Sequence, residues 1–181
     1  MNRTLLITLQ SLLILSVLMF SFSCEEKEPA KILEFPDDLE VINDGDSTIE
    51  ICVSCENKLV FYLDIAQWSL YTFSDKILDW KAFSNEYPHV SVIIYLSGID
   101  EKKGKTKEKM EAYLEYYKFP YQVYLDPTYR FYELSNLDNS FFKNNKGDQV
   151  FWVKGNEILS PANIGMPQGR KEELDLYFGN E

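Results

Sequence analysis

The chain has little of what most soluble catalysts use. Histidine occurs once, at His89, and cysteine three times, at Cys24, Cys52 and Cys55. A lone histidine without a ligand motif around it leaves any pair of thiols short of the further ligands zinc requires. No metal site and no cofactor are expected. Positive charge is scarce as well: 18 Lys and Arg stand against 29 Asp and Glu, a formal net charge of −11. So acidic a surface repels phosphates, and this excludes nucleic acid as a partner. No proline falls between Pro127 and Pro161, and the octet Ile65–Thr72 holds no Cys, no His and no charge. The last absence restricts function most, because the stretch sits where a strand turns into a helix. In α/β domains the chemistry gathers at that place.

What is present begins with a leader. Arg3 precedes Leu5–Phe22, a run about as long as a spanning helix but broken by Gln10 and several Ser and Thr. It ends in small residues before Cys24, and acidic chain follows at once. The pattern reads as a secretory signal over residues 1–23, with an uncleaved anchor as the alternative. Ser21-Phe22-Ser23-Cys24 resembles a bacterial lipoprotein lipobox, with Ser21 standing where that class usually has Leu. The resemblance implies acylation of Cys24 and attachment to a membrane through lipid, without a spanning helix. Glu25-Glu26-Lys27-Glu28 resembles the acidic export signal of surface lipoproteins in Bacteroidetes; a solvated tether is the alternative. The implied address is the cell envelope, at the outer membrane, on its periplasmic or its exposed side. Removal of the leader takes away Arg3 and leaves 158 residues carrying about −12. That length suits one domain plus a tether, and an aromatic content of 15% can fill its core.

Residues 24–46 read as a lipidated linker, rich in charge with Pro29, Pro36 and Asn43-Asp44-Gly45-Asp46, and 47–181 as the domain. Ile49, Ile51 and Val53 alternate with polar neighbours, the period of a half-buried strand. Lys58–Asp64 is a continuous apolar run typical of a central strand. Leu70, Phe73, Ile77 and Trp80 recur at helical spacing, predicting a helix over about 70–86 that Tyr87-Pro88 ends. Val90–Leu96 is a second buried strand, Met110, Tyr113, Leu114 and Tyr117 form a helical stripe, and Gln122–Leu125 is a third strand. A short helical segment spans Tyr129–Leu134. Val150–Val153 and Glu157–Leu159 form a hairpin, and Lys171–Phe178 a last helix. Strands separated by helices, then a hairpin and a helix, predict an α/β domain with a mixed sheet.

This order resembles the thioredoxin-like superfamily, in its membrane-tethered thiol-disulfide oxidoreductase and peroxiredoxin-like branch. Lys58–Leu63 is similar to that family's first core strand, Val90–Leu96 to the next, and Ala112–Pro127 to the helix, strand and turn that follow. The resemblance covers about residues 56–178. Trp68 takes the place of the aromatic before the redox motif. The four motif positions are then Ser69, Leu70, Tyr71 and Thr72, none able to form a disulfide. The family's proline before the hairpin strand is missing too, Asp148 standing near it. The resemblance thus implies the fold with its sulfur site degenerate, a non-catalytic module that binds or assembles with a protein in the envelope. Trp68 and Tyr71 are the candidate binding surface.

Cys52-Val53-Ser54-Cys55 is the competing feature, because it is a Cys-x-x-Cys lying before the central strand. In a regular strand its Cα atoms stand about 10 Å apart, too far for a bridge; only a turn at Val53-Ser54 brings them within reach. Free thiols, a static disulfide and a redox-active pair all remain open at this level. The alternative function is therefore a thiol-disulfide oxidoreductase using Cys52 and Cys55. Asp64 ends the central strand as a candidate buried carboxylate, and His89 reads as an ordinary loop residue.

Overall fold

Eight successive residues without an exposed member make a strand covered on both faces. Asn57–Asp64 (β2) is that strand. The computed structural model describes residues 30–49, 51–66, 73–74, 78–137 and 148–179. In chain order the other elements are β1 (Glu40–Asn43), α1 (Trp80–Glu86), β3 (Ser91–Ser97), α2 (Lys107–Tyr116), β4 (Val123–Leu125), α3 (Arg130–Leu134), β5 (Asp148–Lys154), β6 (Glu157–Pro161) and α4 (Pro167–Phe178). The sheet order is β1-β4-β3-β2-β5-β6. Strands β2, β3 and β4 run parallel, in register from Lys58↔Ser91 to Asp64↔Ser97. Strand β1 is antiparallel to β4, β5 to β2, and β6 to β5.

The period of two along each strand divides the core. Leu59, Phe61 and Leu63 of β2, with Val92, Ile94 and Leu96 of β3, face Trp80 and Phe83 of α1, Met110 and Leu114 of α2, and Leu174 and Phe178 of α4. Val60, Tyr62, Ile93 and Tyr95 take the other face, against Leu33, Phe131 of α3 and Leu137. Trp80 is fully buried between Phe61, centroids 5.3 Å apart, and Phe119, at 5.0 Å. Glu173 anchors α4 by accepting from Trp152 Nε1 at 2.6 Å and from the Asn163 backbone at 3.0 Å. Lys58, also buried, donates to the Gly155 carbonyl and lies 5.4 Å from the Phe35 ring; burial pulls its pKa down.

Three expectations change. Among the described residues, the helix predicted over about 70–86 is Trp80–Glu86; Leu78 and Asp79 precede it, and Asp79 caps it, its side chain accepting from Ala82 N at 2.9 Å. Residues 70–72 and 75–77 of that range lie outside the described residues. Much of the stretch read as linker belongs to the domain. Leu33 is fully buried, Ile32 bridges to Glu157, and β1 pairs with β4 at the sheet edge. Asn43 Nδ2 ties β1 to the Tyr121 carbonyl at 2.5 Å. Apolar pieces of two residues are too short to show a period, and edge pairing draws on backbone groups that any residue supplies. Finally, the alternation at 49–53 makes no strand among the described residues. Val53 and Ser54 form a turn, closed by Cys55 N donating to the Cys52 carbonyl at 3.2 Å.

Candidate functional site

Parallel strands bring their carboxyl ends to one edge of the sheet, and two loops meet there. Asp64, 9% exposed, pairs in register with Ser97, and its Oδ1 accepts from Ala66 N at 2.9 Å. Lys105 crosses from the loop before α2 and donates to the carbonyls of Ile65 and Ala66, the latter at 3.0 Å. Gly98 has φ of +78°, and a Cβ there would stand 2.0 Å from Asp64 Oδ1 and 2.5 Å from Ala66 N. Only glycine admits that approach. The chain thus leaves β2 held by a carboxylate, an ammonium and a glycine.

After β4, the fully buried Asp126 accepts from the backbone of Arg130 at 2.7 Å and of Phe131 at 2.9 Å, and so starts α3. Tyr62 lies on the same side of the sheet. Burial pushes its phenol well above the ordinary range, and the charges of Asp126 and Asp64 add to the effect. A phenol held neutral in this way is a donor and acceptor, not a base. Asp148 opens β5 opposite Leu63. Trp68, Ser69, Leu70, Tyr71 and Thr72, the predicted binding surface and motif positions, lie outside the described residues, as does Cys24. His89 follows Pro88 in the turn before β3, with Tyr87's ring centroid 6.4 Å away.

The sulfur pair is elsewhere. Cys52 and Cys55 form a disulfide across the Val53-Ser54 turn, with Cα atoms 5.2 Å apart. Both are half-buried, while Val53 and Ser54 are exposed. Cys52 N donates to Ser91 Oγ at 2.9 Å, tying the turn to the first residue of β3. The bridge therefore sits at the amino end of the sheet. Eight residues of β2 at about 3.3 Å each put roughly 23 Å between the strand's two ends. The bridge leads into a strand, and it does not open a helix whose N–H groups and dipole would hold a thiolate. The sequence signal for this geometry was there, in the possible turn at Val53-Ser54, but the alternation around it pointed the other way.

Among the described residues no group of three or more His, Cys, Asp or Glu is placed to hold a metal ion. No helix among them is long and apolar enough to cross a membrane.

The parallel β2-β3-β4 core, with the β5-β6 hairpin added antiparallel to β2 and a closing helix, is a thioredoxin-like fold. No family model matches the chain, and neither does any curated protein. Among solved structures, an uncharacterized conserved protein from Geobacillus kaustophilus is similar with a TM-score of 0.51 at 12% identity, over 76% of this chain and 70% of that one. AhpC of Mycobacterium bovis gives 0.45 at 16% identity, over 80% of this chain and 89% of its own. AhpC of Mycobacterium tuberculosis gives 0.45 at 15%, over 81% and 95%. At such identities the likeness concerns the path of the chain alone.

Proposed function

We propose that this chain is a lipid-anchored, extracytoplasmic thioredoxin-like module that binds a protein partner in the cell envelope and whose only sulfur pair is structural. One observation carries the reading: the Cys52–Cys55 bridge lies at the amino end of the sheet, roughly 23 Å from the strand ends where α/β domains place their chemistry. Ser69, Leu70, Tyr71 and Thr72, at the motif positions in the sequence, carry no sulfur, and a hydroxyl without a base is a weak nucleophile. A closed bridge in a chain with three cysteines suits an oxidising compartment. In this reading residues 1–23 are a signal peptide, Cys24 carries the lipid, and the tether is the short stretch before Ile32. Trp68 and Tyr71 remain the proposed contact surface.

The test compares pre-reduced protein with the C52S/C55S variant in the insulin-disulfide reduction assay. Neither is expected to exceed an equal concentration of free thiol. The second reading, a thiol-disulfide oxidoreductase using Cys52 and Cys55, is favoured by the exposed Val53 and Ser54, which leave the turn open to an attacking thiolate. A rate far above free thiol that disappears in the double variant would establish it and dismiss the first.

A further inference from the structure

The amino end of the sheet also holds a cavity of about 400 Å³, within the range of small-molecule sites. One wall is the outer face of α1, with Lys81 and Asn85; the other is the loop after β1, with Asp46 and Thr48. Val92 and Tyr121 close it from the core side, and the apolar lining that solvent reaches comes from Ile49, Tyr87 and Pro88. The loop wall is locked in place. Gly45 has φ of +71°, and a Cβ there would stand 2.7 Å from the Pro120 carbonyl, so the backbone lies directly on the segment before β4. Asp46 N donates to that same carbonyl at 2.7 Å.

The polar groups around this cavity are placed but not consumed. Asp46 Oδ1 accepts from Thr48 N at 3.0 Å and Thr48 Oγ1 at 2.7 Å, which fixes the carboxylate's orientation; its other oxygen has no partner among the described residues. These bonds from Thr48 hold the Asp46 carboxyl below the usual range, and the charge of Lys81 contributes. Lys81 nevertheless closes no ion pair among the described residues, and the Asn85 amide makes no hydrogen bond there. A fixed carboxylate and an ammonium thus face one cavity across a gap they do not close, with an unengaged amide one turn along from the ammonium and apolar lining from Ile49, Tyr87 and Pro88.

We infer that this cavity binds a small zwitterion of the amino-acid class, its ammonium on Asp46, its carboxylate on Lys81 and Asn85, and its side chain against Ile49, Tyr87 and Pro88. A simple dianion would meet Asp46 and a diamine would meet Lys81, so both are disfavoured by like charge. Free amino acids and dipeptides share the required chemistry, and the experiment separates them.

Isothermal titration of the full chain with leucine, phenylalanine and the dipeptide Ala-Leu, each at millimolar concentration, should show saturable binding of at least one. Succinate and putrescine should give none. Asp46→Asn keeps the acceptor for Thr48, and Lys81 is exposed, so D46N and K81M leave the fold intact. Each should weaken zwitterion binding at least tenfold, the cost of one hydrogen bond to a charged group. Binding of the free amino acids alone, or of the dipeptide alone, identifies the source within the class. No heat from any zwitterion, undiminished affinity in both variants, or succinate binding as tightly as leucine would each overturn the inference.

Discussion

Replacing Cys52 and Cys55 together by serine tests the structural role of the bridge, and the structure sets the size of the effect. The crosslink closes a loop of only four residues. In the chain-entropy account so short a loop removes about 6 cal/mol/K from the unfolded state, or about 1.9 kcal/mol at 25 °C. The bridge also aims the Cys52 N–H at Ser91 Oγ. A hydrogen bond of that kind contributes about 1 kcal/mol, and an opened turn forfeits it. C52S/C55S should therefore lose about 2–3 kcal/mol, read as a fall in Tm of about 4–10 °C for a domain of this size. Thermal and urea melts followed by the fluorescence of the buried Trp80 and Trp152 report it directly. Ser91→Ala supplies the internal control: it should cost about 1 kcal/mol with the bridge closed and close to nothing once the bridge is gone. A loss below about 0.5 kcal/mol would mean the bridge restrains nothing that matters. A loss above about 5 kcal/mol would exceed anything a four-residue loop can give, and the entropic argument would fall.

Gly98→Ala forces a methyl group into Asp64 Oδ1 and the Ala66 backbone at positive φ, and should cost about 2 kcal/mol or more, measured by the same melts; an unchanged Tm would refute the close approach. Asp126→Ala orphans the N–H groups of Arg130 and Phe131, so a loss of about 2–4 kcal/mol is expected, with amide exchange faster in α3 than elsewhere. Tyr62, Tyr95 and Tyr121 have pKa values raised by burial above those of the unfolded chain. They therefore contribute full stability below about pH 10 and lose it as the pH climbs further, at about 4 kcal/mol per pH unit for the three together. Tyrosinate absorbance from these three should appear together with unfolding, and a folded protein with all twelve tyrosines ionised would contradict this. For the proposed anchor, Cys24→Ser in the full chain should abolish incorporation of labelled palmitate in a bacterial host, and retained label would remove Cys24 as the attachment point.

The legible parts of the fold are those where one period runs long enough to show. Lys58–Asp64 and Val90–Leu96 are continuous apolar runs and became β2 and β3 within a residue or so. Met110 and Leu114 of the helical stripe are buried, and the hairpin turned where Lys154-Gly155-Asn156 stands. Tyr117, in the same stripe, is 43% exposed: it follows the last residue of α2, and its ring lies against Tyr113 and Tyr116 of the same helix. The site was less legible. Cys52 and Cys55 gave three open readings, since whether two residues three apart can bridge depends on a turn, and the surrounding Ile and Val argued for a strand.

Composition and patterning alone determined the class of this protein: an acidic α/β domain with fully buried central strands in a fixed order, because hydrophobic period is a local property that each segment carries with it. Tertiary structure alone decided that Ile32, Leu33 and β1 join the domain, that the two sulfurs close on each other at the amino end of the sheet, and that Asp46 and Lys81 face one cavity. Each of these rests on residues far apart in the chain, or on a turn that only its surroundings stabilise, and no local pattern encodes such a meeting.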